Sequence, residues 1–327
     1  MSNAEAQRKK NNKIGEMKMT SKFLTALSAS RFINKTSLKN YHFKDDGYTQ
    51  NVFGHKMCAK HVAMFDNGSG KELKTKAKAV YSSSMLAYNF FHWISNGNPF
   101  RYEDIVYNDV FFEVKIPTIS KSPASANIDV VLVSADKSTW LMFESKFTEH
   151  FHPSSQQMIN LSHGYFDSGR YLFEHQVDAD KIIQLINEWY EKAERDSTQY
   201  YDGIKQLICH LVAIMNLQNS LDTSLIRQKV RKMNPGLEEL PQTVLFRTIL
   251  FNPKPEYKEH YASEAYKKLC EQFYASTRKI YPILNADVIT YSEIWDAMSS
   301  QLQDQRLADF LIDRYLRCAD INTTSRE

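Results

Sequence analysis

The chain has 327 residues, 43% hydrophobic and 13% aromatic, which suits a globular fold with a sizeable core and argues against a disordered or fibrous protein. No apolar run approaches the roughly 20 residues of a membrane-spanning helix, and the polar start with Arg8, Lys9, Lys10 and Lys13 lacks the apolar stretch of a secretory signal. Four scattered cysteines, Cys58, Cys209, Cys270 and Cys318, argue against a disulfide framework and for a reducing cytoplasm.

The net charge of +3 is unevenly spread. Residues 1–80 hold 16 Lys/Arg against 6 Asp/Glu, a balance of +10, whereas the remainder holds 25 against 32, or −7. A basic first quarter attracts polyanions such as nucleic acid, although a solvated arm gives the same composition.

Residues 1–20 read as a flexible basic leader, poor in periodicity. Residues 21–70 are mixed, with a loop at Asp66-Asn67-Gly68-Ser69-Gly70. The apolar spacing of Val80, Leu86, Phe90, Phe91 and Ile94 predicts a helix over 73–95, stopped by Asn96-Gly97-Asn98-Pro99. Three strands follow, over 104–117, 127–134 and 139–147, joined by short segments of turn composition, which predicts an antiparallel meander. Helices are expected over 180–195, 202–217 and 259–280, and strands over 243–251 and 286–290. Residues 294–316 read as helical with breaks. The order predicts an α/β fold with a mixed central sheet flanked by helices. Residues 21–327 read as a single domain, with its core at about 75–252 and a helical C-terminal extension.

One pattern carries chemistry. Alternation along a strand puts Glu144 and Lys146 on the same side, and a hairpin after Val133 folds Asp129 back towards them. Two carboxylates on neighbouring strands, with the backbone carbonyl of Ser145, make a hard oxygen site suited to Mg²⁺ or Mn²⁺. Such a metal polarises a phosphodiester and generates hydroxide. Lys146 is placed to orient the attacking water or to stabilise transition-state charge. A structural salt bridge between Lys146 and Glu144 or Asp129 is the plainer reading of the same residues.

The run Ile128-Asp129 with Phe143-Glu144-Ser145-Lys146-Phe147-Thr148-Glu149 resembles the signature of the PD-(D/E)xK nuclease superfamily, the restriction-endonuclease-like fold. It is similar in particular to bacterial members of uncharacterised function with a Glu-Ser-Lys-x-Thr-Glu strand end. Ser82–Phe91 is like the Ser-rich helix start upstream of that family's core, and Lys205-Gln206 is similar to the glutamine-bearing helix after the catalytic strand. Together these matches reach from about 80 to 252.

The resemblance implies Asp129 and Glu144 as metal-binding acids, Lys146 as the catalytic lysine and Gln206 as a helix residue orienting the lysine or the phosphate. It implies a Mg²⁺- or Mn²⁺-dependent endonuclease acting on DNA, in restriction or defence, with a homodimer or a separately encoded partner protein. The family's proline before the first acid is absent here, where Asn127-Ile128 stands. A non-catalytic nucleic-acid-binding module on the same fold is the alternative.

Glu113-Val114-Lys115 is a rival Glu-x-Lys with no turn to fold an upstream acid back to it, so it makes the poorer triplet. Glu113 can still reach the site as an extra metal ligand, and that is left open. His55, Cys58 and His61 share metal-like spacing without a second pair, and read as structural or surface residues. His150 and His152 read as exposed loop residues. Tyr200 and Tyr201 read as packing residues, and Gly68-Ser69-Gly70-Lys71 fails the spacing of a phosphate loop. Ser82–Ser84 reads as a helix cap.

Overall fold

The computed structural model describes residues 21–321 apart from 45–46, 69–71, 96, 122–124, 152–158, 197–199 and 221. The leader at 1–20, His152 and part of the loop after Gly68 therefore lie outside the described residues.

Six strands form one sheet in the order β3-β4-β5-β6-β7-β8: β3 (Phe100–Tyr102), β4 (Ile105–Pro117), β5 (Ser125–Ser134), β6 (Thr139–Lys146), β7 (Thr243–Leu250) and β8 (Asn285–Thr290). The first four run antiparallel, whereas β7 and β8 join parallel, so the sheet is mixed as expected. The small pair β1 (Leu38–Lys39) and β2 (His42–Phe43) stands apart. All eight residues of β6 are buried, which matches a run of Trp140, Leu141, Met142 and Phe143 paired on both sides.

The strands' two faces bury separate cores. Phe111, Val131, Trp140 and Met142 face one core with helices α4 (Gln176–Arg195), α5 (Tyr201–Asn219), α6 (Thr223–Met233) and α7 (Glu259–Ile280). Phe112, Val130, Leu141 and Phe143 face the other, with α1 (Lys22–Ser28), α2 (Ala59–Asn67), α3 (Ser83–Phe91), α8 (Tyr291–Met298) and α9 (Gln305–Arg314). The expected break in 294–316 falls between α8 and α9. Thr290 and Glu293 form a reciprocal capping box that starts α8 directly from β8.

The helix expected over 73–95 is shorter. Only Ser83–Phe91 is α-helical, and the lysine-rich stretch before it makes two isolated 3₁₀ turns, Glu72–Lys74 and Lys76–Lys78. Thr75 departs from helical geometry (φ −122°, ψ −78°), and the Ser82 hydroxyl accepts the Met85 N–H to begin a new helix. Helices α1, α2 and α6 and strand β3 went unread in the sequence.

One irregularity positions the site. Regular alternation would send Val114 and Ile128 to the second core, yet both lie in the first. Strands β4 and β5 thus slip by one residue together, at Glu113 and Asp129, and pairing resumes in register at Val114 and Ile128. Glu113 takes the left-handed conformation (φ 54°) that makes its half of the slip.

Candidate active site at the end of the central strands

Glu113, Asp129 and Glu144 occupy adjacent positions across β4, β5 and β6. The β5–β6 ladder ends at Val130 and Phe143. One position further, the Asp129 carboxylate replaces the missing backbone partner by accepting the Ser145 N–H at 2.7 Å. The N–H and C=O of one strand residue point to the same side, so the Ser145 carbonyl also faces β5. The Ser145 hydroxyl turns the other way, to the Ser83 carbonyl (3.2 Å) and the Tyr291 hydroxyl (2.7 Å), fastening β6 to α3 and α8.

Lys146 is 3% exposed and donates to Glu144 Oε1 at 2.6 Å and to Gln206 Oε1. Burial alone would lower the ammonium pKa, but the Glu144, Glu149 and Asp129 carboxylates outweigh it, so the pKa is raised and Lys146 stays charged. Gln206 comes from α5, one turn before His210, whose Nε2 lies 3.2 Å from the Asn127 carbonyl and 3.5 Å from Glu144 Oε2. Burial lowers the His210 pKa and keeps the ring neutral. Glu144 Oε2 is fully buried and has no hydrogen-bond partner.

Two of the acids are raised by burial and by neighbouring carboxylates. Burial, then Glu144 and Glu113, lift the Asp129 pKa well above the usual carboxylate range. Burial, then Glu72, lift Glu113 to about 7 although Asn127 Nδ2 donates to it. Glu72, from the turn before α3, accepts the Ser84 hydroxyl at 2.8 Å and pairs with Lys76 at 3.6 Å. Glu149 is the exception: burial raises its pKa, but Lys146, the Ser83 hydroxyl and nearby backbone N–H groups bring it below the ordinary value.

These residues line one cavity of about 650 Å³, walled by Ser82–Ser84, Tyr81 and His42 on one side and by Tyr200, Lys205 and Gln206 on the other. Its chemistry is oxygen-rich and negative, with one buried ammonium at its edge. Glu113, Asp129, Glu144 and the Ser145 carbonyl are the donors that could hold a hard divalent cation, and the unpartnered Glu144 Oε2 fits that use. Among the described residues no group of three or more His, Cys, Asp or Glu side chains is arranged to hold a metal ion, so a cation here would draw on the Ser145 carbonyl and water beside the carboxylates.

All of Asp129, Glu144, Ser145, Lys146, Gln206 and Glu113 meet at this cavity. The salt bridge considered from sequence also exists, between Glu144 and Lys146. Among the described residues it leaves Asp129 and Glu113 with no cationic partner within 4 Å. His150 corrects the expectation of an exposed loop residue: it is 2% exposed, stacks on Tyr266 at 5.0 Å and has neither ring nitrogen partnered. Tyr200 lines the cavity, whereas Tyr201 packs in the core against Trp189. His61 is a packing residue against Tyr88 and Phe112, and Cys58 is exposed. The sequence reading missed Glu72 and His210. The second had a signal, because His210 follows Gln206 by four on an amphipathic helix and shares its face.

A mixed α/β sheet whose strands bring acids and a lysine to one cavity fits a restriction-endonuclease-like protein. Residues 7–316 match the family described as Restriction Endonuclease associating with ARP, and the chain belongs to that family. No curated protein and no solved structure matches the chain.

Proposed function

We propose that the protein is a metal-dependent nuclease that hydrolyses phosphodiester bonds in DNA, in a restriction or defence setting. The observation that carries this reading is the row Glu113–Asp129–Glu144 beside a buried, charged Lys146, all open to one cavity. An ion pair made for stability needs one acid; here Asp129 and Glu113, both raised by burial and by neighbouring carboxylates, stand beside the Glu144–Lys146 pair, and a bound cation would offset that crowding of acids.

Mg²⁺ or Mn²⁺ bound there supplies a Lewis acid for the phosphoryl oxygen and a more acidic water. The chain's own residues do the rest. Asp129, Glu144, Glu113 and the Ser145 carbonyl hold the ion. Lys146, kept charged and aimed by Glu144 and Gln206, orients the attacking water or stabilises the extra negative charge of the transition state. Glu149, held ionised, keeps Lys146 from giving up its proton. We also take the association with ARP in the family's description to apply to this chain. The scattered thiols and the lack among the described residues of a helix able to cross a membrane fit a cytoplasmic setting.

The test is cleavage of supercoiled and linear DNA by the full chain with Mg²⁺, Mn²⁺ or EDTA, alongside Asp129→Asn and Lys146→Met. Metal-stimulated nicking that both variants lose by 100-fold or more is the expected result. Metal-independent DNA binding with no cleavage by the wild type would instead identify a non-catalytic binding module on the same fold.

A further inference from the structure

Among the described residues the cavity is lined by more acids than bases, with Lys76, Lys146 and Lys205 its only lysines, so a bound polyanion gains from further cations outside it. Helix α6 carries Arg227, Lys229, Arg231 and Lys232, and no acidic residue stands between Asp222 and Glu238. That stretch contrasts with the chain after residue 80, which holds more acids than bases, 32 against 25. Arg231 and Lys232 sit in the last turn, where a helix dipole favours cations. Arg227 and Lys229 lie further back, beyond that effect's reach. Among the described residues Arg227, Lys229 and Lys232 have no carboxylate within 4 Å, and Arg231 Nε donates to the Glu238 carbonyl.

The helix is also fixed with respect to the acid row. Ile226 and Val230, each 1% exposed, bury one side of it. At its C-terminal end the Asn234 side chain accepts the Lys115 N–H at 2.8 Å and donates to the Lys115 carbonyl at 2.7 Å, two residues along β4 from Glu113. Asn67, at the end of α2, donates to the Met233 carbonyl. The next residue, Gly68, lies so close to Glu113 that a Cβ there would meet Glu113 Oε2 at 3.2 Å. A helix whose cations have no carboxylate partner among the described residues, Arg227 and Lys229 at opposite edges of its buried side, is thus tied to the strand that carries one of the acids.

We infer that α6 is a DNA-docking helix, whose Arg227, Lys229 and Lys232 bind phosphates of a duplex reaching the acid row. The inference rests on the nuclease reading of that row. It assigns positioning to α6 and no sequence readout, since cations on phosphates orient a duplex without reading bases.

The experiment measures affinity of the full chain for a fluorescein-labelled 30-base-pair duplex against KCl concentration, in Ca²⁺ so that binding is read apart from cleavage. The wild type is compared with Arg227→Gln/Lys229→Gln/Lys232→Gln and with a control that removes the same charge from α7, Lys267→Gln/Lys268→Gln/Lys279→Gln. Thermal denaturation checks that each variant is folded. Loss of three phosphate contacts makes the slope of log K against log salt less negative by about 2.7, and weakens binding at least tenfold at low salt, while the control keeps the wild-type slope. An unchanged slope in the α6 variant, or an equal change in the control, overturns the assignment. In that case Mg²⁺-dependent cleavage by the wild type still stands as evidence for the nuclease, so the two failures are told apart. A wild type that neither binds nor cleaves DNA overturns both.

Discussion

The carboxylate of Asp129, one position past the last paired residue of β5, accepts at 2.7 Å the backbone N–H of Ser145, two positions past the last residue of β6 paired with β5. A side chain here completes a ladder that the backbone abandons, so the acid is tethered to the strand bearing Glu144 and Lys146. The tether needs an acceptor and not a charge. Asp129→Asn is therefore expected to stay folded, within about 1 kcal/mol of the wild type, and to lose cleavage. Asp129→Ala leaves the Ser145 N–H unpaired and is expected to cost a further 1–3 kcal/mol, roughly. Urea denaturation of the two variants beside a cleavage assay separates the roles.

Gln206 is expected to matter through Lys146. With Gln206→Leu the ammonium keeps Glu144 but loses its second acceptor, and the buried site loses a charge-assisted hydrogen bond worth roughly 1.5–3 kcal/mol. Cleavage should fall on the order of 10–100-fold, mostly in kcat, while Gln206→Glu should restore a good part of it. Equal kcat in all three proteins would show that Lys146 needs no second partner.

Glu113 gives a signed dependence on pH. Its folded pKa of about 7 lies above the ordinary 4.5, so between those values the native state binds more protons than the unfolded one. Stability from this group is therefore lost as pH rises from 4.5 to 7. His61, lowered by burial to about 4, and His150, lowered by burial to about 3, act in the opposite direction, their cost appearing as pH falls below 6.5. Both proteins in the comparison share those histidines. Glu113→Gln is expected to gain on the wild type by on the order of 2 kcal/mol between pH 4.5 and 7 without metal. Mg²⁺ should stabilise the wild type more at pH 7.5 than at pH 5.5. Chemical denaturation at the two pH values checks both signs.

Gly203 is a packing constraint on the same helix that carries Gln206 and His210. A Cβ there would stand 2.1 Å from the Tyr266 hydroxyl. Gly203→Ala is expected to lower stability by roughly 1–3 kcal/mol and to reduce cleavage by displacing α5 from β6. Adding Tyr266→Phe should recover part of both losses, as read from Tm and rate.

Much of the site was legible because its parts follow simple periods. Alternation puts Glu144 and Lys146 together, the short turn before Thr139 brings Asp129 back, and α5 and α7 show clean apolar stripes. What failed to show has physical reasons. Helix α6 has only Ile226 and Val230 as buried residues among its cations, too few for a stripe. The slip at Glu113 depends on a left-handed backbone at a residue with no special propensity for it. Glu72 enters the cavity from a turn whose lysines read as a helical run. His150 looks like a loop residue, and only the packing of Tyr266 against it shows otherwise.

The most direct test of the central claim is Mn²⁺ binding to the full chain without DNA, read as loss of the free-ion signal in electron paramagnetic resonance. The acid row predicts that the wild type takes up Mn²⁺, that Mg²⁺ displaces it, and that Asp129→Asn, still folded, binds at least tenfold more weakly. Equal Mn²⁺ uptake by the wild type and by the folded Asp129→Asn, or none by either, would contradict it.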